Sequence, residues 1–368
     1  MKAMAARRHL ERLAAVPRPA GSPAEAIARR YCTDVLEEHG FAVNEEPFDY
    51  SSWPGRWATP LAGLASIVIL GIAGHVGYRG EGDSALLAIV LGALIGGPLA
   101  WWVARRGVLD LPFGRARGIN LRATRGSASP VVWLVAHLDS KSQPIPTTVR
   151  IAGIVACAVV WVIAAGVAAA QAMGANVGTW WTWIVPAGVV AAMPVAASVV
   201  GTRSPGALDN ASGVATVLEA LGHLERDVEI GVLITSGEEL GLAGARAYAR
   251  RHPAAVALNC DGVDDRGSLV CMRAGRGPSR SSTAIEDAAK RAGFTLTVRG
   301  IVPGLLVDAV ALHDAGWDCA TLSRGSWSTF ARIHRPHDDL QHLSGTGVAE
   351  AALVLAVAVQ QLRSDSDL

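Results

Sequence analysis

Charge is scarce in this 368-residue chain: 18% of residues are Asp, Glu, Lys or Arg, 51% are hydrophobic, and the formal net charge is +1. With no basic excess there is no field to attract a phosphate backbone, so nucleic acid is excluded as a partner. Cysteine is scarce too. The five present (Cys32, Cys157, Cys260, Cys271, Cys319) are odd in number and form no C-x-x-C. They propose neither a disulfide framework nor a thiolate metal site, and they fit a reducing compartment. The polar segments lack internal repeats and low-complexity tracts. The opening MKAMAARRHLERLAAVPRPAGSP is basic but has no apolar core, so it does not read as a secretory signal.

Charge is missing altogether from four long runs. Residues 61–78, 85–104, 151–170 and 180–200 contain no Asp, Glu, Lys or Arg. Each is about as long as a helix needs to cross a hydrocarbon core of roughly 30 Å. Trp101, Trp102, Trp180, Trp181 and Trp183 lie near their ends, where indole rings favour a membrane interface. Pro98, Pro186 and Pro194 fall inside the runs, which membrane helices tolerate better than soluble ones. His75 reads as a neutral histidine close to the interface. The runs pair into two hairpins, 57–104 and 151–200. Polar segments 1–56, 105–150 and 201–368 then share one face of an integral membrane protein with four spans. Arg56, Arg105, Arg106, Arg115, Arg117, Lys141, Arg150 and Arg203 flank the spans on that face, against Arg79 on the other. The excess of basic residues assigns the polar part to the cytoplasmic face.

Within the polar part, Ala24–His39 reads as an amphipathic helix stopped by Gly40. Ala42–Tyr50, Ile119–Ala123, Val131–Ala136, Ile230–Thr235 and Val256–Asn259 read as strands, and Val214–Leu224 and Ala243–Arg251 as helices. This alternation predicts an α/β fold with a mixed, mostly parallel sheet covered on both faces. In such sheets ligands bind beyond the carboxyl ends of the strands. There the sequence places His137-Leu-Asp139, the pair Glu238-Glu239 and Asp261, with Asp209 in the glycine-flanked turn PGALDNASG. The stretch IHRPHDDLQHL adds His334, His337, Asp338 and His342. Each motif alone has an ordinary reading: a hydrogen-bonded loop histidine, a helix cap, a solvated acidic face. Together they gather acidic groups at one sheet edge, which calls for a cation to offset their repulsion. Imidazoles and carboxylates without thiolates suit zinc or a similar divalent ion. Asp209 is the natural bridge between two ions. Of the adjacent glutamates, one can then ligate while its neighbour faces a water as general base.

Six stretches, VPRPAGSPAEAIARRY, AHLDS, GALDNASGVA, SGEELGLAGARAY, LNCDG and HRPHDDLQHL, resemble the M28 family of zinc peptidases, which includes many aminopeptidases. The resemblance covers nearly all of the polar chain. It implies a zinc-dependent exopeptidase fold for the three polar segments, with the hairpins as insertions. It implies two zinc ions per chain: His137 and Asp261 on one, Glu239 and His334 on the other, Asp209 between them. Glu238 becomes the general base, and Asp139 and Asp338 support the ligands. Aligning H-x-P-x-D selects His334 over His337. The implied activity is hydrolysis of peptide bonds, releasing N-terminal residues, by an enzyme tethered to a lipid bilayer. A glutaminyl-cyclase-like acyltransferase, which uses one zinc, is the alternative enzyme. A silent receptor or scaffold, or a transporter, is the alternative from another class. Two departures stand out. Hairpins interrupt the family's order of elements, and Val307 and Ala309 replace more usual polar residues beside Asp308, which bears on substrate preference.

Overall fold

The computed structural model describes residues 2–107 and 110–364, with the backbone alone at Lys2. The chain forms two units. The first comprises Met1–Pro54, Arg105–Ser142 and Thr202–Leu368, and the second Gly55–Ala104 and Gln143–Gly201.

The first unit is built on one sheet of eight strands: β1 (Ala42–Ser51), β2 (Arg115–Arg125), β3 (Val132–His137), β4 (Ile230–Thr235), β5 (Val256–Val263), β6 (Ser268–Arg273), β7 (Leu296–Gly300) and β8 (Asp318–Gly325). Their spatial order is β1-β2-β4-β3-β5-β8-β6-β7. The pairs β4/β3, β3/β5, β5/β8 and β6/β7 are parallel, and β1/β2, β2/β4 and β6/β8 antiparallel. The mixed, mostly parallel sheet expected from the alternation of elements is therefore present. Every residue of β3 and β4 is buried, because strands covered on both faces read as continuous apolar runs.

The helices, in chain order, are α1 (Lys2–Leu13), α2 (Pro23–Glu38), α3 (Trp53–Tyr78), α4 (Gly82–Arg106), α5 (Thr147–Ala172), α6 (Trp181–Ala196) and α7 (Ser212–Leu221). They continue with α8 (Ala243–Ala249), α9 (Arg280–Arg291), α10 (Asp308–Asp314), α11 (Trp327–Arg332) and α12 (Thr346–Ser364). Alternate side chains of a strand serve opposite faces. Leu134, Val232 and Leu258 join a core with Leu10, Leu36, Val214, Leu218 and Leu355 from α1, α2, α7 and α12. Trp133, Val135 and Leu233 join the other core, with Leu242, Tyr248, Leu312 and Trp317 from around α8 and α10. Helix α2 starts where its sequence directs: Ser22 Oγ accepts from Glu25 N (3.2 Å), and Pro23 opens the helix.

Strands β2 and β3, successive in sequence across RGSASP, are not neighbours, because β4 pairs with both. Two local expectations change. Helix α7 ends at Leu221 rather than Leu224, with Gly222 as its cap. Strand β5 continues through Asp261 to Val263 instead of ending at Asn259, with a shift of register against β8 between Cys260 and Val263.

The second unit contains helices packed through small residues. A Cβ at Gly63 would lie 2.4 Å from Ala196 N, and one at Gly77 2.2 Å from the Trp181 indole nitrogen. Half-buried polar groups pair between helices: Trp161 Nε1 donates to Ser66 Oγ (2.8 Å), and Gln171 Nε2 donates to Gly77 O (2.6 Å). Its outer surface is apolar, with Ile95 at 72% and Val162 at 73% exposure. Trp53–Tyr78, Gly82–Arg106, Thr147–Ala172 and Gly178–Ala196 are each long and apolar enough to cross a membrane.

Candidate metal centre

Strands β4, β3 and β5 are consecutive neighbours and parallel, so their carboxyl ends reach the same rim. His137 is the last residue of β3. Beyond β4 the chain turns at Gly237 (φ +71°) into a short 3₁₀ turn, Glu238–Leu240. Asp261 lies in the irregular end of β5. Asp209 sits just ahead of α7, after Gly206, whose φ is +61° and whose missing Cβ would fall 2.5 Å from both Asp209 O and Ser140 Cβ. No side chain fits there, which is the reason for glycine. His334 follows α11 with its own backbone left-handed (φ +61°).

The five sequence-predicted ligands converge. Asp209 Oδ1 lies 3.1 Å from His137 Nε2, and Asp209 Oδ2 lies 2.9 Å from His334 Nε2. His137 Nε2 is 3.7 Å from Asp261 Oδ1 and 3.9 Å from Glu238 Oε2. His334 Nε2 is 3.3 Å from Glu239 Oε1. Two groups each bring candidate ligand atoms within 4.8 Å of one another: His137, Glu238 and Asp261, and Asp209, Glu239 and His334. His337 and His342, the other histidines of that motif, are exposed.

These residues fit a pair of divalent ions. His137 Nε2, His334 Nε2 and Glu239 Oε1 are buried without a hydrogen-bond partner, an arrangement that costs free energy unless something else satisfies them. Tetrahedral zinc with bonds of about 2.0–2.2 Å separates its ligands by about 3.3 Å, close to the separations here. The donor set is nitrogen and oxygen only, as zinc accepts.

Supporting contacts set the geometry. Asp139 O accepts from His137 Nδ1 (3.0 Å), which turns Nε2 inward. The Asp139 carboxylate accepts from the backbone N–H groups of Glu238 (3.1 Å) and Glu239 (3.2 Å). Asp338 accepts from Leu208 N (2.6 Å) and Asp209 N (3.2 Å). The roles of five further residues were not read from sequence. Arg18, fully buried, donates to the carbonyls of Leu138 (3.0 Å), Pro205 (2.6 Å) and Gly206 (3.1 Å), joining the loops of His137 and Asp209. Asn210 donates to Cys260 O (3.0 Å) and accepts from Gly262 N (3.2 Å), fastening the Asp209 turn to the end of β5. Asp264 accepts from Thr329 Oγ1 (2.7 Å) and from Arg332, two residues before His334. Asp308 accepts from Thr235 Oγ1 at the end of β4. Lys141 Nζ lies 2.5 Å from Glu239 Oε2. Place in or beside the motifs was the available signal: Arg18 lies within VPRPAGSPAEAIARRY, Asn210 within GALDNASGVA, and Lys141 follows AHLDS directly.

The electrostatics are those of a crowded, buried acidic site. Burial raises Glu238 well above the carboxylate range, helped by Glu239, Asp261 and Asp308. Burial likewise pushes Asp308 and Asp338 up to about 7. Burial also works against charge on His137, yet Glu238, Asp139, Asp209 and Asp261 together hold its imidazolium well above the usual range. Asp209 stays well below the carboxylate range despite burial, because the rings of His137 and His334 lie beside its two oxygens.

Residues 191–359 match the family model for peptidase family M28, a stretch that includes Asp209, Glu238, Glu239, Asp261, His334 and Asp338. No curated protein matches this chain. Among solved structures, its fold is similar to an aminopeptidase from Aneurinibacillus sp. strain AM-1 (TM-score 0.57, 16% identity, 98% of this chain and 93% of that one). It is similar to the zinc aminopeptidase BSAP from Bacillus subtilis (TM-score 0.59, 16% identity, 98% and 94%). It is also similar to a glutaminyl cyclase from Fimbriiglobus ruber (TM-score 0.58, 14% identity, 97% and 94%). The family match and the fold support a peptidase-like hydrolase.

Proposed function

We propose that this chain is a two-zinc aminopeptidase of the M28 type that releases N-terminal residues from peptides while tethered to a membrane. One observation carries the reading: Asp209 directs its two oxygens at two different histidines, and each histidine has a further carboxylate beside it. His137, Asp209 and Asp261 would hold one zinc, and His334, Asp209 and Glu239 the other. Ions bound there polarise a carbonyl and acidify water. Glu238 accepts the proton of the attacking water as the C–O bond forms, then gives it to the departing amine nitrogen as the C–N bond breaks. Asp139 and Asp338 hold the backbone of Glu238, Glu239 and Asp209 in place during the reaction.

Segments 1–56, 105–150 and 201–368 form the peptidase domain in this reading, with 57–104 and 151–200 as membrane hairpins. The domain faces the cytoplasm on the basic-flank argument. A reporter enzyme active in only one compartment, fused after residue 368, checks the orientation.

The test of function uses the full chain in detergent: metal content, and hydrolysis of a panel of aminoacyl-nitroanilides before and after chelation. Hydrolysis lost on chelation and restored by zinc is the expected result. Metal-replete protein that cleaves nothing in the panel, or cleavage indifferent to chelator, contradicts it. Glutaminyl cyclisation is the second reading, since the fold is as similar to a cyclase as to aminopeptidases. One zinc per chain, with ring closure of N-terminal glutamine, would select it.

A further inference from the structure

The two oxygens of Glu239 have different neighbours. Oε1 faces His334 Nε2 at 3.3 Å and has no hydrogen-bond partner. Oε2 lies 2.5 Å from the ammonium of Lys141. The Glu239 side chain is 4% exposed and that of Lys141 18%, so water competes little for this ion pair. Burial opposes the charge on Glu239, and Lys141 is the largest influence restoring it.

Lys141 is held at its backbone as well. Its neighbours Ser140 and Ser142 fasten the loop to the strand of chain ahead of Asp209: Ser140 Oγ donates to Ser204 O (3.0 Å), and Ser142 Oγ accepts from Arg203 N (2.9 Å). Ser140 Oγ also accepts from Arg18 N (2.9 Å). The ammonium therefore approaches Glu239 from a fixed loop rather than from a mobile surface side chain.

A carboxylate that turns both oxygens to a metal takes two coordination positions. A catalytic site needs one position left open. We propose that Lys141 is a positioning residue that restricts Glu239 to one metal-facing oxygen and so keeps a coordination position free. The inference rests on the metal reading of the site. It adds a residue outside the ligand set, from the loop four positions beyond His137, that acts on the opposite half of the centre.

The test is cobalt binding by the full chain in detergent, stripped with chelator and titrated with Co²⁺. Affinity for each equivalent comes from competition with a colorimetric chelator, and coordination number from the visible absorption. Lys141→Met should weaken one of the two equivalents about 10–100-fold, the usual cost of losing a partner that orients a ligand. The absorption of that equivalent should fall as Glu239 turns its second oxygen inward and the coordination number rises. Lys141→Arg should keep the wild-type spectrum and both affinities. A Lys141→Met protein with unchanged affinities and spectrum overturns the proposal, as does an equal loss at both equivalents with a lowered melting temperature. Wild-type protein that takes up no Co²⁺ would instead overturn the metal reading itself.

Discussion

The two units handle polar groups in opposite ways. In the first, the sheet rim buries charge: His137, Asp139, Glu238, Glu239, His334 and Asp338 are all less than a tenth exposed. In the second, the long helices expose their aliphatic side chains and bury small residues, with a few polar side chains paired inside. Leucine and valine on the outside of helices long and apolar enough to cross a membrane are what lipid would dictate. Carboxylates on the inside work against stability unless a cation joins them. The difference separates residues chosen by the surrounding solvent from residues chosen by a ligand.

Breaking the acidic rim should have the largest effect. Glu238→Gln keeps the shape and the ligands but removes the proton acceptor. Turnover of a cleaved nitroanilide should fall about 10²–10⁴-fold, while zinc content by mass spectrometry stays at the wild-type level. Arg18→Ala removes the side-chain donor to the carbonyls of Leu13, Leu138, Pro205 and Gly206, of which Gly206 keeps Ala211 N. With an unsatisfied buried group costing about 1–3 kcal/mol, a loss of about 3 kcal/mol in stability is expected, readable by thermal unfolding in detergent.

A change in the second unit should sharpen the contrast. Gly63→Leu pushes a side chain into Ala196. Overpacking of this kind costs about 1–3 kcal/mol. It should lower the melting temperature but leave turnover per folded molecule unchanged if the chemistry belongs to the rim alone.

A separate effect concerns pH in the first unit, away from the rim. His9 is held down to about 4, by burial first and then by His39 and Arg8. Its ring accepts or donates at Tyr31 OH (2.7 Å) and lies 3.9 Å from Glu219. The unfolded chain binds this proton more readily, so the group's contribution is complete above about pH 6.5 and is lost as pH falls toward 4. That amounts to on the order of 3 kcal/mol. His9→Asn should flatten the stability profile in this window, measured by urea unfolding at several pH values. The smallest effect is on Cys32: burial pushes its thiol up to about 12, so alkylating reagents should leave it unmodified in the folded protein.

The eight predicted site residues were legible because each lies in a short motif whose spacing reflects local geometry. A histidine ends a buried strand, and a glycine turn carries an aspartate. Apolar runs of membrane length were legible for the same local reason. Strand order was not: β4 enters between β2 and β3 from about a hundred residues further along the chain, and no local pattern encodes that. Arg18 and Lys141 were hidden likewise. Arg18 meets carbonyls 120 and 188 positions away, and an arginine or lysine in a loop reads as solvated surface until its partners are in place. Asp261 was placed beyond its strand because Gly262 suggested an end, whereas the strand absorbs the turn as an irregularity and goes on.

The most direct test of the central claim is diffraction from the full chain at the zinc absorption edge. The account predicts two anomalous peaks, one on each side of the Asp209 carboxylate, one shared with His137 and Asp261 and the other with Glu239 and His334. A zinc-replete crystal with no peak at Asp209, or with one peak only, would contradict it.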